Sequence, residues 1–232
     1  MASIRSWGKV LAAALCSKSN QDFYDRISPV YDQCFVTHRL HAINMAELLF
    51  ERCKGREKDM LVLDLGCGTG LLSGLVAGKG FEVVGMDVSL ESLRMLRQNA
   101  PGIRAVQADA SLLPVTEAAC HAVVSLGAWR HFPNPRQVMA EVARILKDDG
   151  LLIVGYFPPA VGGVIQQGDS LWRKMLVRVY LFLVHKRGYV DHVDPSLESL
   201  TVGWAKDHFE QVSPVVSGEH WRLIIAQGLR RA

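Results

Sequence analysis

The chain has 232 residues, 49% apolar and 21% charged, enough for one generous domain with a full core, which excludes disordered and fibrous architectures. Its 26 basic and 23 acidic side chains leave a formal charge of +3, too little for a dedicated nucleic-acid surface, which needs clustered cations. The five cysteines (Cys16, Cys34, Cys53, Cys67, Cys120) are scattered without a CxxC pair and read as reduced thiols of a cytoplasmic protein, not as a disulfide frame or zinc site.

No run reaches the ~18–20 apolar residues of a membrane-spanning helix. At the N-terminus, Arg5 and Lys9 precede the short apolar run Val10 to Cys16, and no acid occurs before Asp22. This stretch reads as a short amphipathic lead-in helix, with an organelle transit peptide as the alternative. Residues 20–54 carry no strand signal, and Leu40, Ile43, Met45, Leu48 and Leu49 predict one helix lying over a sheet. From Leu61 the pattern alternates. Strands are expected at 61–65, 82–87, 103–107, 121–126 and 151–156, with helices at 71–77, 89–99 and 135–146 between them. Near-continuous apolar strands alternating with helices predict an α/β, Rossmann-like doubly wound sheet, covered on both faces. Beyond Phe157 the expected elements are helices over about 170–185 and 195–207, then an antiparallel edge hairpin over 209–216 and 220–227. The expectation is therefore a single domain over 1–232, with an N-terminal helical lid (20–54), a cofactor-binding core (61–157), an inserted helical cap (158–207) and an edge hairpin (208–228).

The first strand runs into Gly66-Cys67-Gly68-Thr69-Gly70, where glycines let the backbone pass close to a ligand at the carboxyl end of the strand. Asp87 ends the second strand, 17 residues after Gly70, where a carboxylate accepts both hydroxyls of a ribose. Leu71 stands where a dinucleotide site wants its third glycine, and the Gly-Lys-Ser/Thr of a P-loop is absent. A nucleoside without a pyrophosphate remains.

With these residues in place, the chain resembles the class I S-adenosylmethionine-dependent methyltransferases over roughly residues 20–228. Leu63-Asp64-Leu65-Gly66-Cys67-Gly68-Thr69-Gly70 is similar to that family's first motif and Gly85-Met86-Asp87-Val88-Ser89 to its second. Gln107-Ala108-Asp109-Ala110 with Leu113-Pro114 is similar to the third, and Arg144-Ile145-Leu146-Lys147-Asp148-Asp149-Gly150 to the turn before strand five, with Asp148 and Asp149 as departures. The resemblance implies S-adenosyl-L-methionine as cofactor. It implies Gly66 and Gly68 around the methionine moiety, Asp87 on the ribose hydroxyls and Asp109 on the adenine amine. Asp64 would orient the loop or reach the methionine ammonium through water. Cys67, Gly70, Val88, Ala110 and Ser125 complete the cofactor set, with Tyr24 and Tyr31 closing over it as part of the lid.

Ser125-Leu126-Gly127-Ala128-Trp129 replaces the Asn/Asp-Pro-Pro-Tyr/Phe of the nucleobase-amine branch, so a small-molecule acceptor is expected and no nucleic acid. Gly127-Ala128-Trp129-Arg130-His131-Phe132-Pro133-Asn134-Pro135 and Ile27-Ser28-Pro29-Val30-Tyr31-Asp32 resemble segments of the ubiquinone- and menaquinone-pathway C-methyltransferases, with His131 in place of the usual Asn. A phenol or acidic carbon must lose a proton, and His131, just past strand four, is the first choice of base; His38, His41, Tyr156 and His192 are weaker candidates. No two histidines and a carboxylate fall at ligand spacing, so no metal is expected. Leu171 to Val190 lacks acids and mixes Arg173, Lys174, Arg178, Lys186 and Arg187 with large apolar residues. Residues 171–187 therefore read either as a peripheral membrane contact or pocket roof, or as a helix buried against the sheet. A second functional reading keeps the fold and cofactor without the transfer: a partner subunit or a cofactor-dependent cyclase.

Overall fold

A computed structural model of the chain describes residues 2–156, 170–187, 196–216 and 222–230. Seven strands form one sheet: β1 (Leu61–Leu65), β2 (Glu82–Asp87), β3 (Arg104–Gln107), β4 (Cys120–Leu126), β5 (Leu146–Tyr156), β6 (Phe209–Val216) and β7 (Arg222–Leu229). Their order is β3-β2-β1-β4-β5-β7-β6; the first five run parallel, and β7 is antiparallel to both β5 and β6. The chain reverses direction across the sheet between β1 and β4, the crevice where open α/β sheets bind ligands.

Side-chain alternation along the strands fills both faces. Val62, Val124 and Ile153 point toward α4 (Thr37–Cys53), α5 (Leu71–Ala77) and α6 (Leu90–Asn99), and pack on Met45, Leu49, Leu72, Val76, Leu93 and Leu96. Leu63, Leu65, Val123, Leu152 and Val154 point the other way, onto Val138, Met139 and Val142 of α7 (Pro135–Ile145) and Ala205 of α9 (Leu197–His208). Two of the helix starts have a clear local cause. Ser89 accepts from Ser92 N to cap α6, and Asn134 accepts from Gln137 N to cap α7, with Pro135 in its first turn.

A third apolar cluster lies away from the sheet. It joins Trp7, Val10, Ala13 and Ala14 of α1 (Ile4–Cys16) with Phe23 and Ile27 of α2 (Asn20–Ile27), Cys34 of α3 (Tyr31–Cys34), Phe35, and Val177 and Tyr180 of α8 (Leu171–Arg187). The residues expected to give one helix over the sheet thus belong to α4, while 20–34 break into shorter helices that bridge α1 and the sheet. Helix α8 packs on α1, so the reading that buried it against the sheet is corrected. Its Arg173, counted from the sequence among surface cations, is only 6% exposed. Helix α9 covers the sheet face beside α7. Strand β5 begins at Leu146, paired with Cys120, five residues earlier than expected; pairing resumes at Ala122 with Leu151, and Lys147–Gly150 bulge out between.

Candidate active site

The carboxyl ends of β1, β2 and β4 open into a cavity of about 430 Å³. Its floor is the loop Gly66–Thr69. Gly66 has φ +74°, and a Cβ there would fall 2.2 Å from the Ala128 Cβ, so only glycine lets the loop after β1 meet the loop after β4. At Gly68 (φ +53°) a Cβ would meet nothing within 4 Å, so the backbone there lies open. Gly70 does not line the cavity; with φ +88° it starts α5 against Leu96.

Asp87 binds this loop to β2. Its Oδ2 accepts from Gly68 N at 2.8 Å and its Oδ1 from Ser89 N at 2.9 Å. Burial pushes its carboxyl up, against the pull of those N–H groups. A carboxylate has about four acceptor positions, so room remains for a hydroxyl of a ligand. Asp64 occupies the face of β1 that carries Val62, where the strand pattern expects an apolar side chain. It is 1% exposed, takes the Ser73 hydroxyl at 2.5 Å, and burial pushes its carboxyl up to about 7. The Cys67 thiol is likewise raised by burial. Asp109, two residues past β3, is exposed at the cavity rim; Ser111 N and Oγ both donate to its Oδ1 at 2.8 Å and hold its carboxyl below the usual range. Val88 and Ala110 line the same end; Ser125 is buried and does not.

The other end is walled by rings. Tyr24 Oη lies 3.0 Å from His131 Nε2, and Tyr31 Oη lies 3.0 Å from His38 Nδ1. Burial lowers both histidines to about 3, helped by Arg130, and raises Tyr31. Phe132 and Ala128 complete this wall. The N-terminal helices are tied across the top: Gln21 Nε2 donates to Val88 O at 3.1 Å, Ser89 Oγ to Asp25 at 2.6 Å and Thr69 Oγ1 to Asp32 at 2.7 Å, and the Ser28 and Ser92 hydroxyls lie 2.7 Å apart. Sequence reasoning missed Gln21 and Asp25, whose side chains carry no local signal for these contacts. It named Tyr24, Tyr31, His38 and His131 but not their pairing. His192 and the Tyr156 side chain lie outside the described residues, as do 157–169, most of the expected cap before α8.

The donor set suits a nucleoside cofactor: a buried carboxylate with acceptor positions to spare beside an open glycine, and a second carboxylate at the rim. These features and the fold resemble those of the class I S-adenosylmethionine-dependent methyltransferase domains, and residues 63–154 match the family described as "Methyltransferase domain". Its cofactor is S-adenosylmethionine. More narrowly, the chain is similar to the demethylmenaquinone methyltransferases of Renibacterium salmoninarum (29% identical, 58% of this chain and 56% of that protein) and Thermus thermophilus (33% identical, 53% and 57%). The chain spans about half the length of these curated relatives. Among solved structures, a candidate S-adenosyl-L-methionine-dependent methyltransferase of Methanococcus maripaludis shares the fold over 93% of this chain and 97% of that one, at 17% identity and TM-score 0.64. Magnesium protoporphyrin IX methyltransferase of Synechocystis shares it over 84% and 81%, at 18% identity and TM-score 0.56.

Proposed function

We propose that this chain transfers the methyl group of S-adenosylmethionine to a small hydrophobic acceptor of quinone, isoprenoid or lipid type. The observation that carries the reading is one cavity with carboxylates at one end and a wall of rings at the other. In this reading the whole chain works as one domain, with residues 20–54 as its lid. Asp87 accepts the ribose hydroxyls, Asp109 takes the adenine amine through Oδ2, and the Gly66–Gly68 backbone passes along the methionine moiety.

The bound cofactor supplies a methyl group already activated on a sulfonium, so the chain's own task is mainly alignment, worth up to ~7–11 kcal/mol in the best intramolecular models. The N-terminal helices close the top and keep water from the reacting centre. His131 stands unprotonated at neutral pH, the form a base needs, and its weak basicity holds its contribution to the low end of what a proton-transferring group supplies.

A hydrophobic acceptor also accounts for α8. Leu171, Met175, Val179 and Phe182 are 87%, 59%, 42% and 63% exposed and recur at helical spacing as one stripe, beside the exposed cation Arg178. We propose that this stripe touches an anionic membrane face. Among the described residues no helix is long and apolar enough to cross a membrane.

The test is incubation of the purified chain with methyl-labelled S-adenosylmethionine and a lipid extract. Label in a small lipid-soluble product supports the reading; tight cofactor binding with no label leaving it overturns it in favour of a non-transferring cofactor-binding protein.

A further inference from the structure

The sheet order separates the two ends of the cavity. Asp109 follows β3 and His131 follows β4, and these strands stand three positions apart, roughly 14 Å at about 4.8 Å per strand. The carboxylates that suit a nucleoside therefore lie at one end and the two Tyr–His pairs at the other. The pairs are neighbours: the Tyr24 and Tyr31 rings stand 6.2 Å apart, Tyr24 meets His131 edge-on at 5.5 Å, and Tyr31 lies 5.7 Å from His38. Behind them Phe35 packs on Tyr31 at 4.8 Å and on His38 at 5.7 Å, so the wall is fixed by ring contacts.

We infer that Tyr24, Tyr31, His38 and His131 form the acceptor subsite, and that it selects an uncharged ring compound bearing a hydroxyl or carbonyl oxygen. This deepens the methyltransferase reading and rests on it. A flat acceptor finds ring faces and edges on several sides. Its oxygen finds the phenol of Tyr31, whose oxygen both donates and accepts, and Nδ1 of His131, the ring nitrogen that Tyr24 does not engage. A charged acceptor would lose its hydration against these rings. The groups facing them are Arg130, which acts on both histidines and Tyr31, His41, which acts on His38, and Asp32 and Tyr180, which act on Tyr31. Burial above all, helped by Arg130, leaves both histidines neutral over the physiological range.

The test uses the full chain saturated with S-adenosylhomocysteine and titrated calorimetrically with 1-naphthol, 1-naphthoate and decan-1-ol. These probes share a ring without the charge, a ring with it, and a hydroxyl without the ring. The expected result is 1-naphthol binding about tenfold or more tighter than either other probe. Tyr31→Phe and His131→Asn should each weaken it about fivefold, the loss of one hydrogen bond. S-adenosylhomocysteine affinity, measured first on every variant, reports intact folding. Equal or tighter 1-naphthoate or decan-1-ol binding, or parental 1-naphthol affinity in both variants, overturns the inference. Failure of the parent chain to bind S-adenosylhomocysteine overturns the methyltransferase reading itself, so the two failures are distinguishable.

Discussion

Tyr24 and His131, 107 residues apart in the chain, bring Oη and Nε2 to 3.0 Å at the ring-lined end of the cavity. The pair fixes the imidazole against the N-terminal helices. With His131 lowered to about 3, mainly by burial, no histidine inflection is expected in kcat between pH 5 and 8. His131→Ala should lower turnover by about 10²-fold, the low end for a proton-transferring group, with cofactor affinity nearly unchanged. Steady-state kinetics against pH with a transferred label checks both. A bell centred near 6.5 would restore His131 as a conventional base.

The same burial makes stability depend on pH. His38 and His131 ionise near 3 in the folded chain and near 6.5 when unfolded, so the unfolded chain binds more protons between these values. The stabilisation is fully present above about 6.5 and is lost as pH falls toward 3, at up to about 1.4 kcal/mol per pH unit for each histidine. Urea unfolding at pH 5, 6 and 7 should show a shallower dependence in His38→Asn than in the parent. Parallel curves would contradict the assignment.

Asp64 should couple cofactor binding to proton release. Burial raises it to about 7, so at pH 6.5 it carries roughly three quarters of a proton. A methionine ammonium nearby favours the carboxylate, and binding should therefore release that proton. Calorimetry in buffers of different ionisation enthalpy measures the release directly. Asp64→Asn should remove most of it.

Gly66→Ala should be costly for two reasons. The φ of +74° disfavours any side chain, and the new Cβ would meet Ala128 at 2.2 Å. The two effects together predict about 2–4 kcal/mol of lost stability, read from urea unfolding, and a weakened cofactor site. Gly68→Ala, with open space at its Cβ, should cost less stability.

For the membrane face, sedimentation with anionic but not neutral vesicles is expected at low salt, fading as salt shortens the screening length. Each cation near such a surface contributes on the order of 1 kcal/mol. Because Arg173 is turned inward, the informative change is Lys174→Glu with Arg178→Glu, which should abolish sedimentation and leave cofactor binding intact. Wild-type protein that ignores anionic vesicles at low salt would remove the membrane contact.

The parts of the fold readable from the sequence are those written locally. Strand β1 is an apolar run stopped by glycines, Asp87 ends the next run, and Asn134-Pro135 announces α7. The resemblance supplies the meaning of Gly66, Gly68, Asp87 and Asp109, and all four line the cavity. What could not be read depends on distant segments meeting. Lys147–Gly150 look like a helix stop, yet β5 already starts at Leu146 because Cys120 pairs with it. Arg173 looks like a surface cation because no periodicity shows that the fold will turn it inward. Ser125 looks like a strand-end ligand, but alternation sends it, like Val123, toward α7 and α9. The Tyr–His pairs join residues from α2, α3, α4 and the loop after β4, and no spacing rule reaches across that separation.

The most direct measurement of the central claim, a nucleoside cofactor held across the glycine loop by Asp87, is calorimetric titration of S-adenosylmethionine and S-adenosylhomocysteine into the parent chain and Asp87→Ala. Losing charge-assisted contacts to the ribose, together with the brace that Gly68 N makes at 2.8 Å, should weaken both ligands by about 1.5–3 kcal/mol, roughly 10- to 150-fold. NAD should bind far more weakly than either. Parental affinity in Asp87→Ala would contradict the placement of the ribose, and preferential binding of NAD would contradict the account as a whole.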